Sequence, residues 1–345
     1  MARRRYGLFV RDMAIDLGTA NSLAYVAGRG VVSIEPSVVA IDEATNEIIA
    51  VGDEAKKMIG RTPGTIRAVR PLKQGVIANF DMTKQLLRHL ILRGSRGKTI
   101  IRPRVIVSVP AYVTEVERRA VIDATIEAGA RAAFLIEEPV AAAIGVGLPV
   151  QEPTGSAVVD VGGGMTNSAV ISLGGIVSGR SARIGGDDMD EAIVRYVRRN
   201  YNLMIGERTA ENVKITIGSV WPLDEELTTE VRGRDYVTGL PKGITLSSVE
   251  VRDALSEPMA DIAAGVRSTL EDTPPELVGD IIDREIVVSG GGALLRGIDK
   301  YLAKETGIRV TCVENPLLSV VTGAGRALEE IDLLEKIATA GRKAR

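Results

Sequence analysis

Apolar residues recur along this chain with two periods. Short alternating or continuous runs mark strands, and recurrence every three to four residues marks helices. Residues 13–26, MAIDLGTANSLAYV, read as strand, Gly turn, strand. Residues 31–34 and 37–41 read as further short strands, broken at Pro36. Between 42 and 75 stand Asp42, Asn46, Gly52, Gly60, Pro63, Gly64, Pro71 and Gly75, turn formers that suggest a small excursion from the main sheet. The pattern predicts a helix over 81–93, with Asp81 as N-cap and Leu86, Leu87, Leu90 and Ile91 on one face. Residues 104–109 read as a buried strand. Thr114 with Glu117 forms a capping box for a helix that ends near Gly129. A strand over 134–136 and an Ala-rich helix over 139–147 follow.

The second half opens by repeating the first. Residues 156–171, SAVVDVGGGMTNSAVI, again give apolar strand, acidic residue, Gly turn, Thr and apolar strand. A helix over 187–201 carries acids at its start and Arg198 and Arg199 at its end, complementing the helix dipole. Further helices are expected over 209–217 and 249–270, the latter offset near Pro258, with strands over 227–237 and 243–246 between them. Pro274 and Pro275 mark a break. A strand over 285–289 runs into Gly290, Gly291 and Gly292, and a helix is expected from Leu294. The last thirty residues read as helical. Strands mixed with helices in two repeated halves indicate an α/β fold of two duplicated domains.

Composition narrows the function. At roughly 150 residues per domain, 345 residues fit about two domains. The formal net charge is -2, so no global basic field for nucleic acid exists, and 3% aromatics leave little for base stacking. The single cysteine, Cys312, excludes an internal disulfide, and the single histidine, His89, argues against a multi-His zinc site or a His-based triad. Glycine is the excess, at 37 residues. No apolar run reaches the ~18 residues needed to span a bilayer. The start, MARRRYGLFVRD, lacks the apolar stretch and cleavage site of a secretory signal, so a cytoplasmic protein is expected.

The two Gly turns carry the candidate chemistry. Glycines let backbone N–H groups converge on an anion, and Thr19 and Thr166 add hydroxyls. Asp16 and Asp160 would repel a phosphate directly but suit a Mg²⁺ held through water. The plainer alternative is a pair of ordinary hairpins; their pairing favours phosphate. Facing each other, the halves would aim both carboxylates into one cleft. The turn at Gly290–Gly292 either presents backbone to a ligand or is a tight strand-to-helix link. On the helix TAENVK, Glu211 and Lys214 share a face and could grip ribose hydroxyls and a base edge, or form a solvated ion pair. Glu137 and Glu138 precede Pro139; one would orient an attacking water, or both cap a helix. Arg3, Arg4 and Arg5 before Leu8 and Phe9, with Ile100 and Ile101 in a second basic loop, could lie on an anionic membrane, or form a frayed terminus and a plain loop.

These segments in order resemble the actin, sugar kinase and DnaK-type chaperone ATPase superfamily, and within it the MreB family of bacterial actins. AIDLGTANSLAYV, EPSVVAID, RPLKQGVIANFD, PAYVTEVERRAV, FLIEEPVAAAIGVGLPV, VVDVGGGMTN, RIGGDDMDEAI, GERTAENVKITIGS and SGGGALLRGID carry the resemblance, which spans nearly the whole chain. It implies an actin-like ATPase fold around a nucleotide cleft. Domain I would comprise 1–147 plus helices in about 318–345, with a small subdomain at about 42–71. Domain II would comprise 148–317, with a small subdomain at about 187–246. It implies ATP or ADP with Mg²⁺. Gly18, Thr19, Ala20 and Asn21 would form the first phosphate loop, and Gly162, Gly163 and Gly164 the second. Asp16 and Asp160 would serve the metal through water. Glu138 would activate water, with Glu137 as second choice, and Thr166 would lie near the γ-phosphate. Glu211, Asn212, Val213 and Lys214 would meet the nucleoside, and Gly290, Gly291, Gly292 and Ala293 the adenosine. The family's usual Gly-Gly-Gly-Thr-Thr-Glu is here Gly164, Met165, Thr166, Asn167, one hydroxyl fewer, which implies slowed or differently timed hydrolysis. Asn79 stands where Asp is commoner. The resemblance further implies head-to-tail filaments, contact with the inner membrane, cell-wall synthesis partners and a role in rod shape. A sugar or acetate kinase is the alternative, but no substrate base or sugar pocket is evident. A DnaK-type chaperone would need a further substrate module.

Overall fold

The structure, a computed structural model, describes residues 12–45, 47–95 and 102–331. They divide into two compact units, one drawn from Met1–Val150 and Leu318–Arg345, the other from Gln151–Leu317.

The first unit is built on β1 (Met13–Leu17), in which every residue but Asp16 is buried. β1 pairs antiparallel with β2 (Asn21–Val26), which pairs antiparallel with β3 (Gly30–Pro36). The expected excursion follows. β4 (Val39–Asp42) is the centre of a three-stranded sheet with β5 (Ile48–Val51) and β6 (Ile66–Val69), and α1 (Asp53–Met58) covers it over buried Val38, Ala40 and Ala55. A short hairpin, β7 (Leu72–Lys73) and β8 (Val76–Ile77), leads to α2 (Phe80–Gly94). β9 (Arg104–Val109), α3 (Glu115–Glu127), β10 (Ala132–Glu137) and α4 (Glu138–Val146) complete this stretch. The main sheet has the order β10-β9-β1-β2-β3. Its parallel pairs need crossovers, which α2 and α3 provide. Met82, Leu86, Leu87, Leu90 and Ile91 of α2 are buried against it, as the helical period requires.

Two local expectations meet different outcomes. The capping box is present: the Thr114 N–H donates to Glu117 Oε2 at 2.7 Å and the Glu117 N–H to Thr114 Oγ1 at 3.3 Å. The N-cap of α2, by contrast, is Asn79 rather than Asp81. Asn79 has extended backbone, and its Oδ1 accepts from the Met82 N–H at 3.0 Å. Asp81 stands in the first turn and pairs with Lys84 at 2.9 Å. Asn79 thus has a structural role as the helix cap.

The second unit repeats the sheet. β11 (Ser156–Val161) is wholly buried and pairs antiparallel with β12 (Thr166–Ser172), which pairs with β13 (Gly175–Ala182). α5 (Gly186–Tyr201), β14 (Leu203–Met204) and α6 (Glu207–Ile217) follow, α6 starting one turn-fraction before the expected Thr209. β15 (Thr228–Asp235) and β16 (Pro241–Ser247) join β14 in a small sheet. α7 (Ser248–Ala254) and α8 (Ser256–Glu271) divide the long helical pattern, with Pro258 tolerated in the first turn of α8. The Pro274–Pro275 break opens a helix that the periodicity did not announce, α9 (Pro275–Arg284), because proline at N1 is preorganised for helix. β17 (Ile286–Ser289) then lies parallel to β11. The Gly turn leads only into a single 3-10 turn, Gly291–Leu294, and α10 (Ile298–Thr306) begins after Gly297; the expected helix from Leu294 is corrected accordingly. β18 (Val310–Cys312) closes the order β13-β12-β11-β17-β18. α11 (Ser319–Ala327) returns to the first unit and packs on α4.

The two main sheets therefore share one topology: two antiparallel strands on one side of a central strand and two parallel strands on the other. Among the described residues, no helix is long and apolar enough to cross a membrane. Arg3, Arg4, Arg5, Leu8, Phe9, Ile100 and Ile101 lie outside the described residues.

Candidate functional site

In each unit an aspartate sits near the C-terminal end of the central strand and is held by a serine from the parallel neighbour. Ser108 Oγ, on β9, donates to Asp16 Oδ1 at 2.7 Å. Ser289 Oγ, on β17, donates to Asp160 Oδ1 at 2.7 Å. Parallel pairing dictates the match, since Asp160 is in register with Ser289 and Asp16 follows the Ile15–Val107 pair. Asp16 is half-buried, whereas Asp160 is 6% exposed. Burial pushes the Asp160 carboxyl above its ordinary value, and the Ser289 bond only eases that rise.

The first turn is tied down mostly by side chains. Ser37 Oγ donates to the Gly18 carbonyl at 2.6 Å, and Thr19 Oγ1 accepts from the Gly75 N–H, in the β7–β8 turn, at 3.0 Å. A Cβ on Gly18 would stand 2.6 Å from the Asn21 carbonyl oxygen, so the chain reverses here only with glycine. Ala20 and Asn21 are half-buried beside it, Asn21 opening β2.

Backbone ties down the second turn. The Gly162 N–H donates to the Met165 carbonyl at 2.8 Å, the Gly186 N–H to the Gly162 carbonyl at 3.0 Å, and the Asp187 N–H to the Gly163 carbonyl at 2.7 Å. The start of α5 is therefore laid directly on this turn. Gly162 and Gly163 remain half-buried, and Gly164 is buried. Thr166 is buried, and its hydroxyl donates to the Ile184 carbonyl at 2.8 Å, leaving its oxygen lone pairs as the polar capacity turned elsewhere. Asn167 is buried opposite Asp160 in the β11–β12 ladder and accepts from Ser181 Oγ at 2.5 Å.

Gly290, with positive φ, places a hypothetical Cβ 2.5 Å from the Val161 carbonyl oxygen and 2.9 Å from Asp160 Oδ1. Its glycine is required to bring the 290–292 turn against the end of β11, beside Asp160. Ala293 is buried below it. On α6, Val213 is a core residue and can offer a ligand only backbone, while Asn212 is exposed and Glu211 half-buried. Lys214 is largely buried: its ammonium donates to the Gly186 carbonyl at 2.6 Å and pairs with buried Asp190 at 2.9 Å.

The two candidate water-positioning carboxylates differ in burial and in the element that carries them. Glu137 ends β10 and pairs with Arg118 at 3.0 Å. Glu138, the first residue of α4, is 9% exposed. Sequence reasoning missed Ser108, Ser289, Asp190 and the α5 anchor. A signal existed for the serines, which stand at the same place in VIVSVP and IVVSGG, each near the end of an apolar strand.

The donor set fits a phosphate-bound divalent cation. Asp160 is a buried carboxylate that burial pushes above its ordinary value, and Ser289 is the side chain that donates to it. Among the described residues no cluster of three or more His, Cys, Asp or Glu could enclose a metal. One or two carboxylates, with waters and phosphates for the rest, is the mode of Mg²⁺.

A family model described as MreB/Mbl protein matches residues 10–336. The chain is 53% identical over 339 residues to the cell shape-determining protein MreB of Escherichia coli (strain K12), covering 96% of this chain and 97% of that one. It is similar to the crystal structure of MreB5 of Spiroplasma citri bound to AMPPNP, with a TM-score of 0.90 and 40% identity, over 95% of this chain and 98% of that one. The ADP-bound crystal structure of MreB5 matches with a TM-score of 0.89 and 42% identity, over 93% and 97%.

Proposed function

Because the chain belongs to the MreB/Mbl family, we propose that it is an actin-like nucleotide-binding protein that polymerises and determines cell shape. The nucleotide-bound relatives support ATP and ADP as its ligands. The observation that carries the reading is the repeated Asp–Ser device, Asp16 with Ser108 and Asp160 with Ser289, each beside a glycine turn on a sheet of the same strand order.

In this reading the phosphates lie against the N–H groups of Gly18–Asn21 and Gly162–Gly164. Glu211, Lys214 and the 290–293 turn take the nucleoside. Asp16 and Asp160 would hold a Mg²⁺ through water, and the ion would supply positive charge against the phosphates. Buried Glu138 orients the attacking water, and Glu137 stays with Arg118. Hydrolysis is slow and acts as a switch on filament stability. Head-to-tail self-association is heterologous and does not close, which generates filaments. Residues Arg3, Arg4, Arg5, Leu8 and Phe9, with Ile100 and Ile101, place those filaments on the cytoplasmic face of the inner membrane, where cell-wall synthesis proteins meet them.

Electron microscopy of the purified chain with ATP and anionic liposomes tests this directly. Filaments lying on the lipid are expected. Turnover stimulated by a sugar or by acetate, with no filaments, would overturn the reading in favour of a small-molecule kinase.

A further inference from the structure

Lys214 and Asp190 form a connection that the fold alone does not require. Asp190 is 3% exposed on α5, and Lys214 reaches it from α6 at 2.9 Å. The ammonium approaches Oδ1 outside hydrogen-bond geometry, so the contact is an ion pair and Oδ1 has no aligned donor. Buried ion pairs are weak stabilisers, and apolar residues of similar volume commonly replace them without loss. Burial pushes the Asp190 carboxyl up to about 6 against the pull of Lys214, with Glu211 and Asp187 adding to the rise. A site kept at that cost to the fold points to function.

The position of Lys214 supplies the function. Its ammonium also donates to the Gly186 carbonyl at 2.6 Å. The N–H of the same Gly186 donates to Gly162, and the Asp187 N–H to Gly163, in the second glycine turn. Gly186 lies between the two: a Cβ there would stand 3.2 Å from Lys214 Nζ and 3.6 Å from Gly163 Cα. The peptides flanking Gly186 thus touch the phosphate turn on one side and Lys214 on the other. An ammonium has three donors; the Gly186 carbonyl takes one and Asp190 draws the charge to its own side, which still leaves donor capacity for a ribose or base oxygen.

We infer that Asp190 is a positioning residue for nucleotide recognition: it fixes Lys214 on the Gly186 carbonyl, and so sets the nucleoside-contacting face of α6 relative to the second phosphate turn. This rests on the nucleotide reading above. Asp190 touches no nucleotide itself. The phosphate turn keeps its own backbone bonds to Gly186 and Asp187 without it, so the nucleoside part of binding should fail alone.

The test compares ATP with tripolyphosphate, which carries phosphates but no nucleoside, on the purified full chain by calorimetry in Mg²⁺. Asp190→Asn should weaken ATP by about tenfold, the size of one charge-assisted contact, and leave tripolyphosphate within about twofold. Lys214→Gln should do the same, and Asp190→Asn combined with Lys214→Gln should be no worse than Lys214→Gln alone, because the aspartate acts through the lysine. Unchanged ATP affinity in Asp190→Asn, equal loss of both ligands, or additive losses in the double variant would each overturn the proposal. If Asp190→Asn does not fold, the apolar pair Asp190→Leu with Lys214→Leu replaces it; wild-type ATP affinity there overturns the proposal, and selective loss of ATP supports it. A wild-type chain that binds neither ligand defeats the nucleotide reading itself, an outcome distinct from all of these.

Discussion

Asp16 and Asp160 occupy equivalent places in two sheets of one topology, and each accepts a bond from a serine on the next parallel strand. Their surroundings differ. Asp16 is half-buried, and its turn is held by the hydroxyls of Thr19 and Ser37. Asp160 is buried, its carboxyl is pushed up by desolvation, and its turn is held by the backbone of α5. Duplication has conserved the strand order and the carboxylate but not the anchoring. A hydrated carboxylate on a side-chain-tethered turn can adjust to its ligand at small cost. A desolvated one on a backbone-tethered turn is preorganised, and a cation placed beside it gains more than one beside a hydrated carboxylate. The second unit should therefore carry more of the electrostatic work, and the first more of the positioning.

The largest expected effect separates the two carboxylates. Asp160→Ala should lower Mg²⁺-dependent phosphate release by about a thousandfold, the several kcal/mol that a placed metal supplies. Asp16→Ala should lose less, about tenfold to a hundredfold, because water can replace a half-exposed ligand. Equal losses would break the comparison, and unchanged release in Asp160→Ala would remove that residue from the site. Next in size, Glu138→Ala should slow turnover by about a hundredfold while sparing ATP binding. Glu137→Ala is the control, since Arg118 already engages that carboxylate. A loss at Glu137 with none at Glu138 reverses the assignment.

A smaller contrast tests the anchoring. Gly185→Ala puts a Cβ within 2.6 Å of the Gly162 oxygen and 2.7 Å of the Gly163 oxygen, so the start of α5 must lift from the turn. ATP affinity should fall by about tenfold or more. Thr19→Ala removes one acceptor from the Gly75 N–H, worth about 1 kcal/mol, and should cost about fivefold. If Thr19→Ala is the more damaging, the rigid member of the pair has been misidentified.

Much of this was legible in the chain because the signals were local. The strand-Gly-strand pattern located both hairpins, and Thr114 with Glu117 announced its helix. Asn79 was passed over as N-cap because two acceptor side chains compete at 79 and 81, and only the chain's entry angle decides between them. Pro274–Pro275 read as a break because proline stops a helix behind it and starts one ahead of it, and α9 (Pro275–Arg284) is the second case. The glycines at 290–292 were legible as a turn that either presents backbone to a ligand or links strand to helix tightly; the close fit of Gly290 and Gly292 against Val161 was not, because Val161 is distant in sequence. Asp190, Ser108 and Ser289 were invisible singly, since each acquires its role from a partner distant in sequence.

The smallest effect concerns pH and again divides the units. Asp160 and Asp190 both lie in the second unit, and burial raises both carboxyls, Asp190 to about 6. On unfolding Asp190 returns toward its ordinary value near 4, so between about 4 and about 6 its folded form binds more protons than its unfolded one, and Asp160 acts in the same direction. The Asp190 contribution to stability is therefore full at low pH and is lost as pH rises through about 6. For Asp190, two pH units correspond to roughly 3 kcal/mol at most. The window must stay above pH 5, because Glu226 and Glu250 are held below the usual carboxylate range and act in the opposite sense once they begin to protonate. Hydrogen exchange of the nucleotide-free chain, corrected for intrinsic rates, should show protection in the second unit rising from pH 7 to pH 5 while the first changes little. Asp190→Asn should flatten the second unit's slope. Parallel slopes in both units, or a wild-type slope in Asp190→Asn, would mean that the buried carboxylates are not what distinguishes the two halves.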